Sequence, residues 1–270
     1  MAPITTCLWV FAGASAATWL ASVVTREYSW TDRIWSIMPI AYVAIFAAAD
    51  PGNSRLVLMA VLVGLWGARL TVNFARKGGY RRGGEDYRWR VLRERLKPWQ
   101  YQLLNFFFIS IYQNFIVFAI CLPAHTAYTH PTPLGPLDIV ATVAFLGFLV
   151  GETVADQQQW NFHQRKAAIV AAGGVPSPRF LTTGLFAWSR HPNFFFEQAQ
   201  WWVFFAFGAI AAGSPWQWTV VGAVLLTLLF LGSYRFTESI TLSKYPEYAD
   251  YQRTTSAQLP WIPRRPDASS

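Results

Sequence analysis

Seven stretches of apolar side chains alternate with shorter polar segments along the 270 residues. A helix needs roughly 20 apolar residues to cross the hydrocarbon of a bilayer, and most of the stretches approach that length. The pattern therefore predicts an all-α membrane protein with about seven transmembrane helices. The predicted spans are Ile4–Val24, Ile34–Ala49, Leu56–Phe74, Leu103–Pro123, Leu137–Val154, Phe194–Ala212 and Trp216–Tyr234.

Two of these spans are irregular. The second is short and contains Pro39, so a re-entrant or tilted segment stays open as an alternative there. The sixth is interrupted near its start by Glu197 and two glutamines. No Lys or Arg precedes Arg26, so the basic region of a cleavable signal is missing and we expect the first helix to be retained.

Composition supports a membrane protein. The chain is 53% hydrophobic and 13% charged, whereas soluble domains carry roughly 25% charged residues. Its 14 Trp and 21 Phe suit a protein that places aromatic rings at the membrane boundary. Cys7 and Cys121 lie within apolar stretches and are predicted to be small buried side chains. An ordinary soluble enzyme and a disordered protein are both disfavoured.

Positive charge is distributed unevenly between the predicted loops. Of the 22 basic residues, all but Arg55 and Arg69 fall in segments that share one side if the N-terminus lies outside. The loop at residues 125–136 has none. Because cytoplasmic loops carry the excess of Lys and Arg, this predicts an outside N-terminus and a cytoplasmic C-terminus, in a bacterial inner membrane or the endoplasmic reticulum. Topology thus accounts for the net charge of +8 without a nucleic-acid partner.

Two long polar loops lie on the predicted cytoplasmic side. The first contains paired glycines followed by a predicted short interfacial helix at Tyr87–Leu96. The second begins with a polar extension of the fifth span, from Asp156, which Gly173 and Gly174 should end. No linker or internal repeat divides the chain, so we expect a single transmembrane domain over residues 1–270.

Four acidic residues lie near the predicted cytoplasmic ends of spans: Glu152, Asp156, Glu197 and Glu238. Ionisable groups at membrane depth are costly and therefore mark functional sites, although each could instead be a structural partner of a nearby Arg. The chain has no glycine-rich dinucleotide motif, no phosphate-binding loop and no cluster of zinc ligands. A nucleotide would have to bind in another way, and no metal is expected.

Polar side chains that could bind a ligand or transfer a proton cluster just before the sixth span. Arg190 offers a planar fork of donors suited to phosphate, and His191 can donate or accept a proton near neutral pH. Pro192 can start a helix, on which Asn193 and Glu197 would share one face. The alternative is a helix cap with a solvated arginine. In either case we expect Arg190 to face water or a ligand, so that Arg190→Ala leaves folding nearly intact.

Several sequence blocks in the same order resemble the steroid 5-alpha-reductase (3-oxo-5-alpha-steroid 4-dehydrogenase) superfamily, and more closely its poorly characterised membrane-protein branch. The central block is Ser-Arg-His-Pro-Asn-Phe-x-x-Glu within Gly184–Glu197. The other blocks are Thr31–Pro39, Arg69–Asn73, Gly78–Tyr80, Glu85–Trp89, Asn105–Gln113, Ala155–Gln157 and Tyr251–Pro260. They cover most of the chain, with the reductase-like signature region at about residues 137–262.

The resemblance implies a seven-helix bundle that binds NADPH from the cytoplasmic side. Hydride would pass to the conjugated carbon–carbon double bond of a lipid-like enone, and an acid would protonate the neighbouring carbon. The resemblance carries cofactor contacts over to Asn193, Glu197, Arg190, His191, Asp156, Arg69, Glu238 and Tyr245. The expected partners are the bilayer and a lipid-like small molecule.

One departure concerns the substrate. Steroid 5-alpha-reductases hold the substrate ketone with a Glu and a Tyr in the N-terminal half, and this pair has no counterpart here. Asp32, Tyr80 and Tyr112 are the candidate acids instead. Two alternatives remain open. One is an isoprenylcysteine carboxyl methyltransferase-like enzyme that uses S-adenosylmethionine, and the other is a non-catalytic lipid-binding membrane protein.

Overall fold

The computed structural model describes residues 1–263. Arg264 and Arg265, which are among the basic residues predicted to be cytoplasmic, lie outside that range. Every regular element within it is helical. The α-helices are α1 Pro3–Thr25, α2 Trp30–Ile34, α3 Met38–Ala49, α4 Ser54–Arg76, α5 Tyr87–Arg95, α6 Pro98–Leu103, α7 Gln113–Ala119, α8 Leu122–Thr129, α9 Pro136–Ala171, α10 Pro192–Ala212, α11 Val221–Lys244 and α12 Tyr248–Thr254. A π-helix, Leu104–Tyr112, joins α6 to α7, and short 3₁₀ turns lie at Gly184–Ala187 and Trp218–Val220.

Among the described residues, five helical segments are long and apolar enough to cross a membrane. They are Pro3–Thr25, Ser54–Arg76, Pro98–Thr129, Pro136–Ala171 and Trp218–Lys244. The chain is thus helical and suited to several membrane passes, as the hydropathy pattern predicts.

The other two predicted spans do not reach that standard. Helix α3 has 12 residues, which at about 1.5 Å per residue measure only ~18 Å. It begins at Met38 because residues 35–37 form a separate turn after α2. Helix α10 has 21 residues, but Glu197, Gln198 and Gln200 lower the hydropathy of its first half.

Several local predictions are confirmed. Helix α5 matches the short helix expected at Tyr87–Leu96. Helix α9 continues without a break through the polar segment from Asp156, and ends two residues before Gly173. Cys7 and Cys121 are both buried and unpaired.

The described chain forms two compact units. Unit 1 comprises residues 1–145 and 201–226, and unit 2 comprises residues 146–200 and 227–263. In unit 1, the turn before α3 approaches α4 so closely at Gly67 that an added Cβ would lie 2.5 Å from the carbonyl oxygen of Ser36. Gly222 at the start of α11 meets the carbonyl of Ala119 in the same way, at 2.2 Å. Because glycine has no side chain, the backbones can approach this closely at both contacts.

A polar seam inside unit 1 joins α1 to the π-helical region. Asn105 Nδ2 donates to Ser22 Oγ at 2.9 Å, and Asn114 Nδ2 donates to Thr18 Oγ1 at 3.1 Å. Residues nine apart would lie on opposite faces of an α-helix with about 3.6 residues per turn. The wider π-helical turn at Leu104–Tyr112 brings both asparagines to the face that meets α1.

Candidate functional site

A carboxylate hub lies in unit 2, where the Arg-His-Pro segment meets α11. Glu238 is buried, and Arg190 binds it through two parallel hydrogen bonds, Nε to Oε1 at 2.7 Å and Nη2 to Oε2 at 3.1 Å. His191 Nε2 lies 2.8 Å from Oε1 of the same carboxylate. Such a fork is among the strongest side-chain contacts because both partners are charged and the geometry is fixed.

Two residues of the C-terminal region complete this hub. Gln252 Nε2 donates to Glu238 Oε2 at 2.8 Å, and the Tyr248 hydroxyl donates to Oε1 at 3.3 Å. Burial and the neighbouring carboxylate raise the pKa of Tyr248 well above its usual range, so the phenol stays protonated and remains a donor. Glu238 therefore accepts from four different side chains.

The same segment holds the end of the described chain. Arg190 Nη1 donates to the carbonyls of Gln252, at 3.1 Å, and of Thr255. The backbone N–H groups of Arg190 and His191 donate to the carbonyls of Ser256 and Ala257, at 2.8 and 3.0 Å. We call this contact between residues 188–191 and 252–261 the tail clamp.

More hydrogen bonds reinforce the tail clamp. Ser189 Oγ donates to the carbonyl of Gln258 at 2.7 Å, and the N–H of Trp261 donates to the carbonyl of Trp188 at 3.0 Å. The Tyr251 hydroxyl donates to the carbonyl of Phe186. Each bond ties α12 or the segment after it to residues 186–191.

The expectation that Arg190 faces water or a ligand is wrong. Its side chain is 10% exposed, and its donors bind Glu238 and two backbone carbonyls. Burial alone would lower the pKa of Arg190, but hydrogen bonds and charge from Glu238 raise it, so the guanidinium stays ionised. For the same reason we now expect Arg190→Ala to be destabilised, because the substitution would leave a buried carboxylate without its main cation.

A second polar group in unit 2 is more open to water. Lys166 on α9 donates to the Tyr245 hydroxyl at 3.1 Å and to the carbonyl of Arg179 at 2.9 Å. The Arg179 guanidinium lies 5.8 Å from the centre of the Tyr245 ring, and its contact with Glu247 is long, at 3.9 Å. We call Lys166, Arg179 and Tyr245 the cation–phenol cluster.

The remaining predicted cofactor contacts in unit 2 lie on helices. Helix α10 starts at Pro192 as expected, which places Asn193 and Glu197 one turn apart in its first two turns. Glu197 and Asp156 are buried, while Asn193 is half-buried. Buried Gln200 donates to Glu152 Oε2 at 2.7 Å. Carboxylate and amide groups therefore line this part of unit 2.

The other predicted site residues belong to unit 1. Asp32 accepts the Trp89 indole N–H at 2.8 Å, and the Tyr80 hydroxyl donates to the carbonyl of Arg33 at 3.1 Å. Both contacts tie the α2 segment to the loop around α5. Tyr112 ends the π-helix with its ring 5.5 Å from that of Phe108, and Arg69 lies on α4.

Sequence reasoning missed the residues that complete the hub and the clamp. Tyr248, Tyr251 and Gln252 have the three- and four-residue spacing of one helix face, which is the signal that could have grouped them. Nothing in the sequence identifies Lys166 as the partner of Tyr245, because 79 residues separate the two.

Comparisons with known proteins identify a family and one relative. The family model described as a protein of unknown function, DUF1295, matches residues 18–255. An uncharacterised protein of Schizosaccharomyces pombe is 40% identical over 251 residues, which cover 87% of this chain and 73% of the yeast protein. No solved structure matches the chain. The family match and the yeast relative both extend over most of the chain. The chain therefore belongs to the DUF1295 family.

Proposed function

We propose that this protein is an integral membrane reductase that uses NADPH to reduce a conjugated carbon–carbon double bond in a lipid-like substrate. We also propose seven membrane passes, with α3 and α10 as the two beyond the five long apolar segments, an outside N-terminus and a cytoplasmic C-terminus. The resemblance to the steroid 5-alpha-reductase superfamily supports this reading, and so do helices suited to a bilayer.

The cation–phenol cluster is the observation that carries the cofactor proposal. Lys166 and Arg179 place two cations beside the half-buried Tyr245 ring. Arg179 itself is about half exposed. NADPH carries several phosphate charges, and lysine and arginine are the usual protein groups that bind phosphate. S-Adenosylmethionine carries no phosphate and offers such cations only one carboxylate, so the pair suits the phosphate-rich NADPH better.

The donor set of unit 2 fits part of a nicotinamide dinucleotide. Lys166 and Arg179 would hold phosphate, and Asn193 and Glu197 offer an amide and a carboxylate for the carboxamide and the ribose hydroxyls. Arg190 donates its hydrogen bonds to Glu238 and to the tail clamp. It therefore orders the chain instead of binding a phosphate. When bound, NADPH supplies a hydride.

The substrate side needs a group that protonates carbon. Of Asp32, Tyr80 and Tyr112, Asp32 has surroundings that favour a protonated acid, since burial and the nearby Asp86 carboxylate raise its pKa. The Tyr80 hydroxyl already donates to a backbone carbonyl. We therefore place Asp32 first among the three candidates.

A thermal-shift series on detergent-purified protein tests the cofactor. A ligand that binds only the folded state raises the melting temperature by mass action, by about 2.7 kcal/mol of stability at 100 times its Kd. We expect a shift with NADPH and NADP that exceeds the shift with NADH. Lys166→Gln and Arg179→Gln should reduce it, and Arg235→Gln, which removes an exposed cation elsewhere in unit 2, should not.

The other outcomes separate the alternatives. A shift with S-adenosylmethionine alone would replace the reductase with a methyltransferase. No shift with any cofactor would favour a non-catalytic lipid-binding protein. An NADPH shift that survives both substitutions would keep the cofactor but remove the cation–phenol cluster from its site.

A further inference from the structure

The loop that joins α4 to α6 concentrates positive charge. Residues 76–97 contain nine Lys and Arg side chains and three acidic ones. Four of the cations, Arg81, Arg82, Arg90 and Lys97, are exposed to solvent and take part in no ion pair within residues 1–263. We call these four the outer cations.

Two of the three acidic side chains are engaged in contacts within the fold, and the third, Glu94, is exposed. Glu85 Oε1 accepts the backbone N–H of Tyr28 at 2.8 Å. Asp86 caps α5 by accepting the N–H of Arg88 at 2.8 Å, and it also pairs with the Arg88 guanidinium at 2.8 Å. These acids stabilise the loop from inside and do little to neutralise the outer cations.

The loop is also firmly folded onto unit 1. Trp89 is buried against Tyr28, Tyr101 and Ile109, and its indole N–H donates to a carboxylate at 2.8 Å. Arg33 Nε donates to the carbonyl of Gly79 at 3.1 Å. The cations are therefore presented by a preformed surface, and less conformational entropy is lost when they bind a ligand.

The place of the loop in the chain selects the kind of ligand. It starts at the end of α4 and stops at the start of α6, and both helices belong to segments suited to a membrane. Exposed rings of Tyr80, Tyr87 and Trp99 accompany the cations. Tyr and Trp favour the headgroup level of a bilayer, and clustered Lys and Arg just beyond a membrane helix attract anionic lipids.

We propose that the outer cations form a docking surface for the headgroups of anionic phospholipids in the bilayer that surrounds the protein. The membrane orientation rule would account for the positive charge of this loop. It would not account for the preformed surface, or for Glu85 and Asp86 being held in internal contacts while the outer cations stay exposed. The aromatic rings and the two adjoining apolar segments favour lipid over nucleic acid or an acidic protein. This surface does not involve the cation–phenol cluster of unit 2.

Spin-label electron paramagnetic resonance of the protein in bilayers measures this preference directly. The probe is phosphatidylglycerol with a spin-labelled chain, compared with phosphatidylcholine that carries the same label. We expect protein-restricted phosphatidylglycerol to exceed phosphatidylcholine by at least about threefold at low salt. The ratio should fall towards one at 0.5 M salt, where the Debye length is about 4 Å.

Substitutions locate the surface. Arg81→Gln/Arg82→Gln/Arg90→Gln should bring the ratio close to one, whereas the matched triple Arg165→Gln/Arg235→Gln/Arg253→Gln removes as many exposed cations and should preserve it. Near-equal binding of the two lipids by the native protein would overturn the proposal, as would an equal loss in both triples. Saturable RNA binding without a lipid preference would assign the surface to nucleic acid. NADPH binding to the first triple should be normal, which separates this test from that of the reductase.

Discussion

A buried arginine–carboxylate pair lies in each unit, and these two pairs are built differently. In unit 1, Arg55 Nε lies 2.7 Å from Asp138 Oδ1, and in unit 2, Arg190 Nε lies 2.7 Å from Glu238 Oε1. Both arginines also donate to two backbone carbonyls distant in the chain. Arg55 binds the carbonyls of Thr132 and Pro133, just as Arg190 binds those at the tail clamp.

The difference lies in the carboxylate. Within residues 1–263, Arg55 is the single cationic partner of Asp138, which also accepts the N–H of Gly135 at 2.8 Å. Glu238 is shared by four side-chain donors, so the loss of one leaves three. Arg190 lies in a recognisable motif and Arg55 does not, yet both join the carboxylate of a helix to backbone carbonyls elsewhere in the chain. A motif arginine is therefore not in itself evidence of a ligand contact.

The largest effect should come from unit 1. Arg55→Met leaves Asp138 buried without a cation, and removal of one partner of a buried pair costs about 3–5 kcal/mol. We expect a large fall in melting temperature or a failure to purify as a single species. The double substitution Arg55→Met/Asp138→Leu should recover much of the loss, and exposed Arg165→Met serves as the control. A single variant as stable as the native protein would contradict the account.

A smaller loss is expected at the hub. In Glu238→Gln, one amide oxygen still accepts hydrogen bonds, but Arg190 loses its counter-charge, and hydrogen bonds to charged groups contribute about 1.5–3 kcal/mol. The melting temperature should fall less than in Arg55→Met. Glu94→Gln, at an exposed carboxylate, is the matched control. A loss equal to that of Arg55→Met would mean that the shared donors give Glu238 no protection.

The smallest effect should have the opposite sign and depend on pH. The pKa of Asp32 is raised by burial and by Asp86, so the folded chain binds its proton more tightly than the unfolded chain. Stability is then lost as pH rises from the unfolded pKa of about 3.9 through the folded pKa. Asp32→Asn should be slightly more stable than the native protein at pH 7.

The comparison across pH isolates this effect. The advantage of Asp32→Asn should shrink towards pH 4, provided that the amide oxygen still accepts the Trp89 N–H. Asp250→Asn, at an exposed carboxylate, should show no such trend. Denaturation curves at several pH values measure both variants, and a destabilised Asp32→Asn at pH 7 would argue that the charge of Asp32 supports the fold.

Helices were largely predictable from the sequence because membrane hydropathy and breaker residues act locally. Pro192 correctly marked the start of α10, and Gly173 correctly marked the end of α9. The short second span was anticipated from its length and Pro39, but the turn at residues 35–37, which delays the start of α3 to Met38, was not. The π-helix at Leu104–Tyr112 also left no mark, because its residues suit an ordinary helix equally well.

The residues of the candidate site were easier to predict from the sequence than the contacts that they make. Arg190, His191 and Glu238 were singled out, and the structure brings them together within hydrogen-bonding distance. Their role was not evident, because the carbonyls that Arg190 binds are backbone groups and have no residue signature. For Glu238, the structural alternative of an arginine partner is the one that the contacts bear out.

Arg190 holds residues 252–257 of the chain itself instead of a ligand. Hydrogen exchange of ligand-free protein tests this role most directly, through the protection of residues 248–261 in the native protein and in Arg190→Lys. Lysine keeps the charge but cannot bridge Glu238 and the two carbonyls, so we expect faster exchange across this segment, including the Trp261 amide. Lys166→Gln should leave the exchange of residues 252–261 unchanged. Equal protection in native protein and Arg190→Lys would contradict the claim and return Arg190 to the ligand site.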